Sequence, residues 1–214
     1  MVRGLISLMM EGYGMVNGKM ITEMDKVLGY ILVVANTRVS GKMTKELDPI
    51  TLQVVGGALH SIAEQMGNVL SRMSYSSIIR ESQDLGAGLF DIEFNTLCES
   101  DSTPMHIGSL PGYLRGINET IKKEDWKSGD CVIHNHPYKG ASHSPDIAIV
   151  MPVFFEDELV GFSANTAHHV DIGAATPGLI IDVPDMWAEG MLLDAVKLYE
   201  AGNRVESLWK YIRD

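Results

Sequence analysis

Ile147-Ala-Ile-Val-Met-Pro-Val-Phe-Phe155 and Leu159-Val-Gly-Phe-Ser-Ala-Asn-Thr166 are two apolar runs separated only by Glu156-Asp157-Glu158. Each is short and rich in β-branched and aromatic residues, and the acidic triplet between them suits a tight turn. The stretch therefore predicts an antiparallel hairpin. Centred on Asp157, the hairpin pairs residues whose numbers sum to 314, so Asp146 faces His168. A register one residue off would put Asp146 opposite His169 instead. Directly opposed residues have Cβ atoms about 4.5–5.5 Å apart. The fold reading thus brings a carboxylate and an imidazole to the open end of the hairpin.

Working outward, the same end collects histidine. Six of the seven histidines lie between positions 106 and 169. The segment before the first run is His134-Asn-His136-Pro-Tyr-Lys-Gly-Ala-Ser-His143-Ser-Pro-Asp146, and the segment after the second is Ala167-His168-His169-Val-Asp171-Ile-Gly173. His143 precedes Asp146 by three residues in a turn bounded by Ser and Pro, so its ring can fold over the same spot. His143, Asp146 and His168 then make a two-His, one-carboxylate set with positions left open for water or substrate. Neutral imidazole and carboxylate suit zinc, manganese or ferrous iron, and spacing alone does not choose among them. The competing reading has Asp146 capping a turn and His168 and His169 in a solvated loop. It leaves the recurrence of histidine at both hairpin ends as coincidence. Asp84 and His106 are the next candidates, as ligand, ligand partner or base. Sequence context weighs a plain turn or strand-end hydrogen bond equally for each.

The remaining elements follow from periodicity. Asp48-Pro49 opens a helix with an apolar stripe from Ile50 through Val54, Val55, Leu59, Ile62, Ala63, Met66, Val69 and Leu70 to Met73. His60 beside it reads as a partly buried packing residue. Ser74 to Gln83 reads as a turn and a short extended segment. Asp84-Leu-Gly-Ala-Gly-Leu-Phe-Asp91 suits a buried strand, with Ile92 to Cys98 returning beside it. Ser102 to Pro111 reads as a loop, Gly112 to Lys122 as a helix, and Cys131 to His134 as a strand. Helical spacing returns at Trp187, Met191, Leu192, Ala195, Val196 and Leu198, and Leu208 to Ile212 forms a last helix. The expected fold is α+β: a mixed or antiparallel sheet with packed helices and a metal site on loops at strand ends. Residues 48–214 form the domain. Residues 1–47, rich in Met and Gly and with a possible strand at Tyr30–Ala35, form an extension or docking arm.

Composition narrows the classes. A net charge of −11, with no basic block interleaved with aromatics, argues against nucleic acid as the partner. No run approaches the roughly 20 apolar residues of a membrane span. Cys98 and Cys131 form no CxxC pair, and Met1–Met10 is followed by Glu11 rather than a cleavage signal, so a cytoplasmic protein is expected. HExxH, GxSxG and GxxxxGK[ST] motifs are missing, so nucleotide is expected to bind elsewhere.

From Asp48 onward the sequence resembles the hydantoinase B/oxoprolinase family, which includes N-methylhydantoinase B-type subunits and relatives in ketone carboxylases and caprolactamase. The matching segments are Asp48-Pro-Ile-Thr-Leu, Arg80-Glu-Ser-Gln-Asp84-Leu-Gly, Pro104-Met-His106-Ile-Gly-Ser-Leu-Pro, Asn135-His-Pro-Tyr-Lys-Gly140, Ser142-His143-Ser-Pro-Asp146 and Ala167-His168-His169-Val-Asp171. The resemblance implies that His143, Asp146 and His168 ligate one or two catalytic divalent ions, zinc or manganese foremost, with Asp84 completing the site. It also implies an ATP-using hydantoinase A-like partner that activates the substrate. One departure is His136, where the family usually has Asp. Another is length, since family chains run several hundred residues past the position of Asp214, which implies a chain supplying the missing C-terminal portion.

Together these features suggest the metal-bearing subunit of an ATP-dependent cyclic-amide hydrolase. The alternatives are the same component of an acetone- or acetophenone-type ketone carboxylase, and a structural or regulatory subunit that has lost its chemistry. Leu208, Trp209, Tyr211 and Ile212 are expected to lack cover and to favour association.

Overall fold

The computed structural model describes residues 49–178 and 182–213. The helix expected after Asp48 is α1, Pro49–Met73. Asp48, the expected cap, lies outside the described residues, as do the 1–47 arm and its Tyr30–Ala35 strand. Next come α2 (Ser77–Glu81), β1 (Leu85–Phe90), β2 (Thr96–Glu99), α3 (Pro104–Thr120), β3 (Cys131–His134), β4 (Asp146–Phe155), β5 (Glu158–His168), β6 (Val196–Glu200), β7 (Asn203–Arg204) and α4 (Glu206–Arg213). The seven strands form one sheet in the order β2-β1-β5-β4-β3-β6-β7. Every pairing is antiparallel. The fold is α+β.

The β4–β5 hairpin forms in the expected register. Pairs from Asp146–His168 to Val153–Gly161 keep the sum of 314, and a bulge between Val153 and Phe154 then shifts it by one. The turn therefore has two residues rather than three: Glu156 and Asp157, with φ of 47° and 66°. Positive φ at both positions is what a right-twisted two-residue hairpin requires.

Alternation along the strands sorts the core onto two sides. Val132, Val150, Phe162 and Ala164 pack with Leu110, Leu114 and Ile117 of α3. Ile133, Ile147, Ile149 and Ala167 face the other way, toward Leu70 of α1 and Leu208, Trp209 and Ile212 of α4. Leu208, Trp209 and Ile212 are thus half-buried against this core, so the C-terminal helix has part of its cover within this chain. Only Tyr211 among its large apolar side chains is exposed.

Further expectations are corrected, that of a partly buried His60 among them. The expected 102–111 loop is helical from Pro104 onward, as the start of α3, which runs unbroken through Pro111. A helical proline costs about 3 kcal/mol. Full burial of Leu110, Tyr113, Leu114 and Ile117, at about 1.5–3 kcal/mol for each large apolar side chain, outweighs it. The apparent helical spacing from Trp187 to Leu198 resolves into a short 3-10 turn at Met186–Glu189 and strand β6. Positive φ at Gly190 (119°) and Ala195 (52°) breaks any helix there. Ser77–Glu81 is helical rather than extended, because one turn suffices to bury Ile79. On α1 the stripe is narrower than its sequence suggests. Leu59, Ala63 and Leu70 are buried, while Ile50, Val54 and His60 are exposed.

Candidate metal centre

Asp146 opens β4 and His168 closes β5, so their pairing sets them side by side. The β1–β5 register carried one step past Leu85–Ala167 brings Asp84 beside His168, and the His168 N–H donates to the Asp84 carbonyl at 3.1 Å. Three adjacent strand ends thus deliver Asp84, His168 and Asp146 in one row. The α3 side of this row receives His106 from the first turn of α3. His143 arrives from the turn before β4. Asp146 and His106 are fully buried, and His168 is nearly so.

His143 Nε2 lies 2.7 Å from Asp146 Oδ1 and 3.1 Å from His168 Nδ1, and His168 Nδ1 lies 3.0 Å from the same carboxylate oxygen. The two imidazoles stack, with centroids 5.0 Å apart. Each ring nitrogen carries at most one proton, so at most two of these three contacts can be hydrogen bonds. A cation among the three atoms satisfies all of them. Ligand bonds of about 2.1 Å place neighbouring donors roughly 3.0–3.4 Å apart, close to the triangle seen. The three residues therefore fit a divalent ion.

The surrounding contacts fix the carboxylate. The Ser142 hydroxyl donates to Asp146 Oδ2, and the Tyr113 hydroxyl donates to the Asp146 carbonyl at 2.9 Å. Burial alone would raise the Asp146 carboxyl. The hydrogen bonds of His143 and His168, with the charge of His106, instead hold it well below the usual carboxylate range. Burial likewise pulls His143 down, but its bond to Asp146 raises it overall.

Asp84 and His106 stand beside this triangle rather than in it. Asp84 Oδ1 meets His106 Nε2 at 2.8 Å. His106 Nδ1 is buried without a hydrogen-bond partner, 3.8 Å from Asp146 Oδ2. The other histidines part ways. His134 donates from Nε2 to the Lys139 carbonyl and accepts the Ala195 N–H at Nδ1, which fixes it as a neutral bracket. His169 turns away, donating from Nδ1 to the Ala167 carbonyl at 2.9 Å. Burial pushes its pKa down to about 4. His136 lies edge-on to Tyr138.

Sequence reading missed two contributors. Asn135 Nδ2 donates to the Ser144 and Met191 carbonyls, and Glu189 Oε2 accepts the Ser144 N–H at 3.1 Å. Glu189 is 45 residues from Ser144, and no local spacing signals that contact. The helical reading of its segment hid it further.

A family model described as hydantoinase B/oxoprolinase matches residues 48–214. A protein named as the B component of a D-/L-hydantoinase, from Pseudomonas sp. strain NS671, is 49% identical over 175 residues, covering 79% of this chain and 30% of its own length. A 5-oxoprolinase of Dictyostelium discoideum is 39% identical over 153 residues, covering 72% of this chain and 12% of its own. The crystal structure of an ATP-dependent caprolactamase from Pseudomonas jessenii superposes with a TM-score of 0.70 at 32% identity, over 78% of this chain and 29% of that one. An acetone carboxylase structure has a TM-score of 0.68 at 21% identity, over 86% of this chain and 25% of that one, a likeness of fold alone. The chain thus spans less than a third of the length of the relatives it matches.

Proposed function

We propose, from the premise that this chain belongs to the hydantoinase B/oxoprolinase family, that it is the metal-bearing part of an ATP-dependent cyclic-amide hydrolase. The observation that carries the reading is the closed triangle of His143 Nε2, Asp146 Oδ1 and His168 Nδ1 at one end of the sheet. These residues would hold zinc or manganese, which when bound supplies Lewis acidity toward a carbonyl oxygen and acidifies water. Asp84 orients His106 through Nε2. His106 Nδ1 is left to hold or pass a proton beside the carboxylate, or Asp84 itself enters as a further ligand. Ring opening joins a water oxygen to the carbonyl carbon, breaks the C–N bond and leaves a proton on the ring nitrogen. His106 is the group placed to carry that proton.

Relatives named as the B or beta component of their enzymes, and a caprolactamase titled ATP-dependent, support a partner that uses ATP. The share of those relatives this chain spans supports a further chain segment completing the site. Among the described residues no helix is long and apolar enough to cross a membrane. Cys98 and Cys131 remain thiols, which fits a cytoplasmic setting. The carboxylase reading has weaker support, since the acetone carboxylase likeness speaks only of fold. A subunit without chemistry is opposed by the intact triangle. Elemental analysis of the purified complex, with assays of ATP-dependent hydantoin ring opening against ketone plus bicarbonate, tests the reading. Metal-free protein with full amide hydrolysis would overturn it.

A further inference from the structure

The turn that carries His143 has little regular structure of its own. It runs from Ser142 to Pro145 between a short 3-10 turn and β4. On its β4 side the Asp146 N–H donates to the His143 carbonyl at 3.1 Å, and the His169 N–H donates to the Pro145 carbonyl at 2.9 Å. On its outer side both polar backbone groups of Ser144, the residue after His143, are held by distant side chains. The Ser144 N–H donates to Glu189 Oε2 at 3.1 Å, and the Ser144 carbonyl accepts Asn135 Nδ2 at 2.6 Å.

Asn135 is fully buried and bridges to the segment that bears Glu189. Its Nδ2 also donates to the Met191 carbonyl at 2.9 Å, its Oδ1 accepts the Leu193 N–H at 2.6 Å, and its own N–H donates to the Leu193 carbonyl at 2.9 Å. The segment is itself seated: the Met191 N–H donates to the Ile172 carbonyl at 2.8 Å. Gly190, at φ +119°, sits so close that a Cβ there would meet the same carbonyl at 2.6 Å. Glu189 therefore projects from a fixed base.

We propose that Glu189, backed by Asn135, is a positioning residue that fastens the 142–145 turn to the 189–193 segment and so delivers His143 Nε2 to Asp146 and His168. The inference rests on the metal reading of that triangle. Glu189 acts through the backbone of Ser144, since its carboxylate stands outside the three-donor group. Without it the Ser144 N–H turns to water, the turn relaxes, and one of the three donors leaves the site. Outer groups of this kind typically change metal affinity by about 10–100-fold.

The test uses the full chain as wild type, Glu189→Ala, Glu189→Gln and His143→Ala, titrated calorimetrically with zinc and with manganese. Amide hydrogen exchange of the peptide covering 142–146 and thermal melts are followed in parallel. Glu189→Ala should bind about 10–100-fold more weakly, with faster exchange confined to the turn and a melt close to wild type. Glu189→Gln keeps an acceptor oxygen for the Ser144 N–H and should recover most of the affinity and the protection. Wild-type affinity in Glu189→Ala overturns the proposal. So does Glu189→Gln binding as weakly as Glu189→Ala, which would make Glu189 a ligand or a charge partner. If the wild type takes up neither metal, the metal reading itself fails. The exchange data still decide the clamp: unchanged protection in Glu189→Ala overturns it, and loss of protection limited to 142–146 upholds it.

Discussion

At one end of the β4–β5 hairpin, Phe155 passes through Glu156 and Asp157 into Glu158, and all three acidic side chains are exposed. At the other end, the same two strands finish in Asp146 and His168, buried and in contact with His143. The same two strands reach both ends, one bulge apart in register, yet water reaches only the first. Charge at the turn is solvated and contributes little. Charge at the strand ends must be met by protein groups or by a bound ion. An unpartnered polar atom therefore carries information at the buried end and almost none at the turn.

The sharpest way to break this contrast is to remove a donor from the buried end. His143→Ala or His168→Ala should lower zinc or manganese affinity by more than about 100-fold, beyond what changes to the groups around the ligands cost. The helical circular-dichroism signal should stay. Calorimetric titration and elemental analysis read the effect, and full metal occupancy in both variants would remove the site assignment.

The next test concerns how the buried end is walled. α3 meets the loop before His143 backbone to backbone, where a Cβ on Gly116 would lie 1.7 Å from the Lys139 carbonyl oxygen. Gly116→Ala must push helix and loop apart, and should cost about 1–3 kcal/mol or more in urea unfolding. Gly108, in the same helix, has nothing within 4 Å of such a Cβ. Gly108→Ala should gain up to about 1 kcal/mol from helix propensity. Equal losses at both positions would show that the contact does not set the wall.

A pH series sharpens the contrast further. His169 is buried, with its folded pKa pushed down to about 4, against about 6.5 unfolded. Between those values the unfolded chain binds the extra proton, so stability falls as pH drops from about 6.5 to 4, by at most about 3 kcal/mol. Asp146, also depressed in the folded state, adds a further loss below about pH 4, where the unfolded carboxyl protonates. His143, raised in the fold, gains its stability above about 6.5 and stays constant below it, so it does not offset these losses. Thermal melts with chelator present should slope downward with acid through the His169 window, and His169→Gln should flatten that part of the curve. A flat wild-type profile would contradict the burial of a neutral His169.

How much of this the sequence made legible follows from the range of each signal. The hairpin could be read because its pattern is local: two apolar runs, one acidic turn, and a register that fixes Asp146 opposite His168. Asp84 and His106 could be singled out but not joined, because 22 residues and two strands separate them. β6 was hidden because Val196 and Leu198 fit a helical stripe as well as a strand. Only the positive φ at Gly190 and Ala195 decides between them. The start of α3 was hidden by Pro111, whose local cost is outweighed by packing that no short window of sequence displays. Glu189 and Asn135 act through backbone groups of a distant turn, a contact with no side-chain signature at all.

The smallest expected effect lies at the exposed end. Glu156 and Asp157 hold φ of 47° and 66°, where residues with a Cβ are disfavoured by about 1–2 kcal/mol and Asn or Gly is preferred. Replacing the pair by Asn-Gly should stabilise the chain, but glycine also gives the unfolded chain more freedom, so the net gain should be about 0.5–1 kcal/mol. The urea midpoint reads it. Metal affinity should not change, because the bulge between Val153 and Phe154 and the long ladder beyond it hold the register independently of turn chemistry. Inserting one residue into the turn is the harsher version. If the ladder absorbs the insertion, affinity persists. If the register slips by one, Asp146 comes opposite His169, the triangle opens, and binding is lost along with the match between hairpin and site.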